Sequence, residues 1–190
     1  MVQEMRHAWA HRLFWRARLK LTQANCLGHV LDKYQINELP LLSGWIGIAP
    51  MPGRTMRYEA DLNTILRWGA GMVLTMTEAD ELGFGDAETL GRDLEDAGVI
   101  WRHLPIRDMG APPPAVEAYW PETSATARKL LSDGGRVLAH CFGGCGRSGM
   151  ALMRLMVEAG ERPDHALMRL RTVRPCAVET EAQRAWASGL

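Results

Sequence analysis

The chain has 190 residues, of which 47% are hydrophobic and 23% are charged, and its 22 basic side chains equal its 22 acidic ones. This composition is that of an ordinary globular domain, large enough to bury a core of its own. Because the charges balance, no overall field favours nucleic acid or a membrane surface, and no apolar stretch is long enough to span a bilayer. We therefore predict no nucleic-acid partner and no integral membrane segment.

Residues 1–40 differ from the rest and are predicted to form a basic helical arm. Within the first twenty residues, five basic side chains stand against the single acidic Glu4, and Trp9 and Trp15 are interleaved with them. Such a helix packs its aromatic face on the neighbouring domain or, as the alternative, contacts an acidic partner or a membrane surface. Residues 41–190 are predicted to form the main domain.

From residue 44 onward, apolar runs typical of strands alternate with segments of helical periodicity. This order predicts an α/β fold with a central, mostly parallel, twisted sheet of four or five strands flanked by helices. The strands are predicted at residues 45–48, 71–76, 99–104 and 137–140, and the helices at 58–68, 86–96, 115–131, 148–158, 163–172 and 179–187. Ligands of such sheets bind beyond the carboxyl ends of the strands, so the loops after residues 104 and 140 should form the site.

The loop after the last predicted strand carries the strongest functional signal. Cys141 and Arg147 bracket five mostly small residues between a strand and a helix. The backbone N–H groups of such a turn and the start of the next helix form a cradle for a phosphate-sized anion. The same field favours a thiolate at Cys141, a nucleophile, while the Arg147 guanidinium can bind two phosphoryl oxygens. The predicted phosphate-binding residues between them are Phe142, Gly143, Gly144, Cys145 and Gly146.

The other three cysteines lack an arginine six positions later, so only Cys141 fits this pattern. The alternative is a glycine-rich turn around a buried, inert cysteine.

Phosphate-ester cleavage also needs a proton for the leaving oxygen and later a base for water. Asp108, in the proline- and glycine-rich loop after the third predicted strand, is the candidate for both steps, and its loop could be lowered onto a bound substrate. The alternative for Asp108 is an ordinary turn residue.

Together, His140-Cys141-x5-Arg147-Ser148 and the upstream Pro-Ile-x-Asp108 resemble the cysteine-dependent protein tyrosine and dual-specificity phosphatases. The likeness is closest to the kinase-associated phosphatase branch and spans roughly residues 44–184. It implies that Ser148 donates a hydrogen bond to the sulfur and that His140 orients the loop from behind. It further implies that Gln183 positions the attacking water, although a helix-surface glutamine without a role is the alternative. Neither a metal nor a cofactor is implied, since fixed dipoles and Arg147 supply the electrostatic stabilisation.

Cys145 and Cys176 depart from the family pattern. Cys145 lies inside the loop, where it either forms a reversible disulfide with Cys141 or fills space. Cys176 stands where the resembling motif usually has glycine. The four cysteines show no disulfide-scaffold spacing, which favours a reducing interior, and the predicted location is the cytoplasm.

Loop composition indicates the substrate class. Because Arg147 is the only charged side chain in the loop, the cradle fits one phosphate monoester on a protein side chain, phosphotyrosine and/or phosphoserine/threonine. A non-protein substrate, namely an inositol phosphate, a nucleotide or an RNA end, is the alternative. A further alternative is a non-catalytic module that binds phosphoproteins on the same fold.

Overall fold

The computed structural model describes residues 34–189. The predicted basic arm lies almost wholly outside the described residues, as do its suggested acidic partner contacts and Cys26. Within residues 34–189, no helix combines the length and the apolar character needed to cross a membrane.

Five strands form one sheet in the order β1-β2-β5-β3-β4. They are β1 (Asn37–Leu41), β2 (Gly44–Pro50), β3 (Met72–Thr75), β4 (Ile100–His103) and β5 (Arg136–Cys141). Strand β1 runs antiparallel to β2, and every other neighbouring pair is parallel. The predicted α/β fold with a mostly parallel sheet of up to five strands is thereby confirmed.

Strand β1 was not predicted, and its sequence explains why. Its five residues include Pro40, which cannot donate a ladder hydrogen bond and is tolerated because β1 is an edge strand. Leu39 and Leu41 are nevertheless buried, so the strand contributes to the core. The sheet therefore begins within the segment that the sequence assigned to the arm.

Seven helices connect and flank the strands within the described residues. They are α1 (Tyr58–Trp68), α2 (Ala79–Gly83), α3 (Leu90–Asp96), α4 (Pro114–Ser132), α5 (Gly146–Glu158), α6 (Pro163–Val173) and α7 (Glu181–Ser188). Helix α2 was not predicted. Helix α3 begins at Leu90 rather than at the expected Asp86, because Asp86 adopts a left-handed φ of 51° in the preceding turn. Helix α1 ends as predicted, at a left-handed Gly69 with φ 79°.

The core lies on both faces of the sheet, and β5 shows how the strand periodicity divides it. Val137 and Ala139 pack on the face covered by α4 to α7, whereas Leu138 packs on the face covered by α1 to α3. Burying one such leucine contributes about 1.5–3 kcal/mol. Because β5 is central and buried on both faces, its last residue, Cys141, is held at the carboxyl edge of the sheet.

Candidate active site

The candidate nucleophile lies at the end of the central strand. Cys141 is the only free cysteine within residues 34–189, and its side chain is buried. Its sulfur lies 3.3 Å from the Ser148 hydroxyl oxygen, a hydrogen-bonding distance in which either group can donate. Ser148 belongs to the first turn of α5, so the strand and the helix meet at this contact.

Two glycines allow the phosphate loop, residues 141–147, to pack tightly. Gly144 has a φ of +67°, and a Cβ there would lie 2.5 Å from backbone atoms of Ala49 and Pro50. A Cβ on Gly146 would lie 2.8 Å from the side-chain oxygen of Gln183. A larger residue at either position would push the loop away from β2 or from α7.

Arg147 is almost completely buried and is bound by a carboxylate that the sequence did not reveal. Its two terminal nitrogens donate to Glu81 at 2.6 and 2.8 Å, and one of them also donates to the carbonyl of Ile106 at 2.9 Å. Burial alone would lower the pKa of Arg147, but the Glu81 hydrogen bonds and nearby negative charges outweigh it, so the pKa is raised. The guanidinium therefore stays charged and fixed in orientation.

Glu81 lies on α2, 66 residues before Arg147 in the chain. A local signal does exist, because Glu81 Oε2 accepts from the backbone N–H of Glu78 at the start of that helix. A Glu-x-x-Glu pattern of this kind predicts a helix start. This local pattern does not identify Arg147, which is distant in the chain, as the second partner of Glu81.

Asp108 lies beside Arg147 in the acid loop, residues 104–113. One of its carboxylate oxygens is 3.4 Å from a terminal nitrogen of Arg147 and accepts from the N–H of Met109 at 3.1 Å. Its side chain is 39% exposed, in contrast to the 2% of Arg147. The structure thus brings Asp108, Arg147 and the phosphate loop to the same edge of the sheet.

The acid loop is tied to the start of α7. Gln183 is buried, and its amide nitrogen donates to the carbonyl of Gly110 at 3.2 Å. The Thr180 hydroxyl donates to the carbonyl of Met109 at 3.4 Å. The side-chain oxygen of Gln183 accepts from the N–H of Glu179 at 2.9 Å. The alternative of a helix-surface glutamine is therefore wrong, since Gln183 lies between the phosphate loop and the acid loop.

His140 lies directly behind the phosphate loop and is fully buried. Its Nε2 pairs with the Thr75 hydroxyl at 2.8 Å, and that hydroxyl also accepts from the indole N–H of Trp101. Burial, followed by repulsion from His103 and Arg147, lowers the pKa of His140 to about 3. The imidazole is therefore neutral at physiological pH. Its main-chain carbonyl accepts from Met76, which joins β5 to the end of β3.

Both alternatives for Cys145, a disulfide with Cys141 and a space-filling role, are wrong. Cys145 forms a disulfide with Cys176, and the two Cα atoms are 5.2 Å apart. Cys145 is the residue that precedes α5, and its side chain faces the segment after α6 rather than Cys141. The expectation of reduced cysteines fails for the same two residues. Within the described residues, no group of three or more histidine, cysteine or acidic side chains is arranged to hold a metal ion.

Residues 47–161 match the family model described as "polymorphic toxin system, DSP-PTPase phosphatase". That span begins within β2 and contains the acid loop and the whole phosphate loop. The chain belongs to this family. It is accordingly a phosphatase of the dual-specificity and protein tyrosine class, and the resemblance inferred from its motifs is confirmed.

Named relatives agree with the family. Cyclin-dependent kinase inhibitor 3 of Mus musculus is 27% identical over 150 residues, which cover 74% of this chain and 70% of the relative. Among solved structures, Tk-PTP in its active form is 28% identical with a TM-score of 0.59, covering 82% of this chain and 94% of its own. A kinase-associated phosphatase, with serine in place of its catalytic-site cysteine, shares the fold with a TM-score of 0.71. It is 23% identical, and the match covers 83% of this chain and 94% of that one.

Proposed function

We propose that this phosphatase hydrolyses phosphate monoesters on protein side chains through a cysteinyl-phosphate intermediate at Cys141. The observation that carries the proposal is the 3.3 Å contact between the Cys141 sulfur and the Ser148 hydroxyl, at the mouth of a loop that leads into a helix N-terminus. A hydroxyl at this distance can donate to a thiolate, which stabilises the sulfur as nucleophile and as leaving group.

In the first step, the Cys141 sulfur attacks phosphorus, and the bond from phosphorus to the ester oxygen breaks. Asp108 gives its proton to the departing oxygen, while Arg147 and the loop amides stabilise the charge on the transferring phosphoryl group. In the second step, Asp108 takes a proton from water, water oxygen bonds to phosphorus, and the sulfur leaves. Inorganic phosphate is released, and Cys141 and Asp108 return to their starting states.

Three observations support a phosphoprotein substrate. The mouse relative is named as a cyclin-dependent kinase inhibitor, and a structural neighbour is named as a kinase-associated phosphatase. In addition, Arg174 reaches the phosphate loop but donates to the carbonyls of Gly143 and Gly144. Its guanidinium is therefore engaged by the loop carbonyls, so Arg174 does not supply a binding site for a second phosphate.

A non-protein substrate with a second anionic group is the other candidate, because a second cation lies at the loop. The guanidinium of Arg54 lies 5.6 Å from the ring centroid of Phe142, the first residue after the nucleophile. An arginine there could bind an additional phosphate on a polyanionic substrate.

The cytoplasmic location stays a prediction, and the disulfide weighs against a permanently reducing compartment.

The first test is turnover of para-nitrophenyl phosphate by the wild type and by Cys141→Ser. We expect the variant to lose roughly a millionfold in kcat, as for other removed nucleophiles, and EDTA to leave the wild-type rate unchanged. Equal turnover by both proteins would exclude Cys141 as the nucleophile. Cys141→Ser then serves as a trap for phosphopeptides and for inositol phosphates, each probed with and without Arg54→Gln. Preferential capture of inositol phosphates that Arg54→Gln abolishes would favour the non-protein substrate.

A further inference from the structure

Three consecutive residues of the phosphate loop are fastened to a short segment that follows α6. The Nε and Nη2 atoms of Arg174 donate to the carbonyls of Gly144 and Gly143 at 2.8 and 2.7 Å. The next loop residue, Cys145, is bonded to Cys176. We call these two hydrogen bonds and the disulfide the loop clamp. The family pattern does not account for it, because Cys176 replaces a glycine.

The segment that carries the clamp is itself fixed. The Arg171 guanidinium donates to the carbonyls of Ala177 and Val178 at 3.0 and 2.9 Å. Val178 is buried and has a φ of +62°, an unusual conformation for a β-branched residue. Such a conformation persists only where the surrounding contacts determine it. The clamp therefore connects the phosphate loop to a rigid support.

The direction of the clamped carbonyls has a consequence for phosphate binding. In a trans peptide unit the C=O and the following N–H point in opposite directions. Since the Gly143 and Gly144 carbonyls point at Arg174, the N–H groups of Gly144 and Cys145 point away from it. The disulfide holds the residue immediately before α5, and that helix carries Arg147 and Ser148 in its first turn. The clamp thus controls both the loop amides and the start of the helix.

We propose that Cys176 is a positioning residue, which acts through its disulfide with Cys145 to hold the phosphate loop in its anion-binding form. Phosphate affinity then depends on the redox state of this pair. A dithiol reductant donates two electrons and two protons, the S–S bond breaks to give two thiols, and the reductant becomes a cyclic disulfide. The inference rests on the proposed function, because the affected loop is the one assigned to phosphate binding.

Arg174 keeps its two hydrogen bonds after reduction, so the phosphate loop becomes less rigid but keeps its overall conformation. We expect phosphate affinity to fall about tenfold, less than the 10²–10³ that follow from removing an oxyanion donor outright. Cys141 is a free thiol close in the chain to the disulfide, and exchange between them would mask the effect. Binding is therefore measured in the Cys141→Ser background, where that sulfur is absent.

The experiment titrates inorganic phosphate calorimetrically into Cys141→Ser before and after treatment with dithiothreitol, with the disulfide mapped by mass spectrometry. The treated protein and Cys141→Ser/Cys176→Ser should both bind about tenfold more weakly than the untreated protein. Cys141→Ser/Cys26→Ser, with the remaining cysteine changed instead, should respond to the reductant as the parent does. Cys141→Ser/Leu39→Ala, destabilised at a buried position on β1, should bind phosphate normally, which separates positioning from lost stability.

Equal phosphate affinity in the oxidised and reduced proteins would overturn the inference. So would a mapped disulfide that joins cysteines other than 145 and 176 in the wild-type protein. Wild-type turnover distinguishes the two levels of failure. If turnover is normal but phosphate affinity does not depend on the redox state, only the role of the loop clamp is rejected. If both turnover and phosphate binding are absent, the proposed function is rejected as well.

Discussion

The phosphate loop and the acid loop lie at the same edge of the sheet but are held in different ways. The phosphate loop is fastened by a disulfide, by Arg174, and through Arg147 by a bidentate pair with Glu81. The acid loop is held at Ile106 by a hydrogen bond from Arg147, but its later residues are tied to the start of α7 by two neutral hydrogen bonds of 3.2 and 3.4 Å, and the Asp108 side chain is 39% exposed. The anion-binding half of the site is therefore preorganised, while the proton-transfer half retains freedom to adjust.

After loss of the nucleophile itself, the largest effect on turnover should come from the exposed half. Asp108→Asn removes the proton donor but keeps the shape of the side chain, so kcat should fall by about a hundredfold or more. Affinity for vanadate, which tests the phosphate loop, should hardly change. Asp133→Asn is the matched control, because Asp133 is an exposed carboxylate in a turn remote from the site. A pH–rate profile unchanged in Asp108→Asn would remove this residue from the mechanism.

Weakening the carboxylate that supports Arg147 should lower turnover less than Asp108→Asn does, but it should weaken vanadate binding more. Glu81→Gln leaves the buried guanidinium with a weaker partner, and breaking such a pair costs roughly 3–5 kcal/mol of stability when a partner is lost entirely. Because glutamine keeps one acceptor oxygen, we expect the lower end of that range. Vanadate affinity should weaken about tenfold as Arg147 becomes less well oriented.

Glu78→Gln, an exposed change on the same helix start, is the control for Glu81→Gln. Urea unfolding and vanadate inhibition check both variants. If Glu81→Gln matches Glu78→Gln in both measurements, the carboxylate does not support Arg147.

The contrast between the loops also explains what the sequence could predict. Cys141, Arg147 and the helix after them are adjacent in the chain, so a strand, a glycine-rich turn and a helix signal together suffice to identify them. Glu81 and Cys176 contribute through contacts that span 66 and 31 residues of chain. Their residue types are visible locally, but the partner is selected by tertiary packing. The β1 strand was missed because Pro40 weakens the strand pattern at an edge that only the folded sheet defines.

His140, which is buried behind the phosphate loop, should also make the stability of the protein depend on pH. The pKa of His140 is about 3 in the folded protein, below the ordinary value of 6.5, so the unfolded state binds more protons between those values. Stability should therefore fall as the pH falls from about 6.5 towards 3, with His140 contributing at most about 1.4 kcal/mol per pH unit. His140→Asn should flatten the unfolding free energy in this window. The difference in unfolding free energy between His140→Asn and wild type at pH 7 measures the packing that is lost. If the two proteins lost stability equally between pH 6.5 and 3, His140 would not be the cause of the pH dependence.

The smallest effect should come from the tie between the acid loop and α7. Gln183→Met keeps the size of the side chain but removes the donor to the Gly110 carbonyl, so Asp108 should be less well placed. We expect kcat to fall about three- to tenfold, with vanadate affinity retained.

A double-mutant cycle distinguishes this role of Gln183 from the positioning of water suggested by the resemblance. If Gln183 acts by placing Asp108, then Gln183→Met should cost little in a protein that already carries Asp108→Asn, because residues that act as a unit are not additive. If Gln183 orients the attacking water independently, the two losses should multiply. The cycle therefore tests whether the loosely held acid loop takes its position from α7, as the two hydrogen bonds from Thr180 and Gln183 indicate.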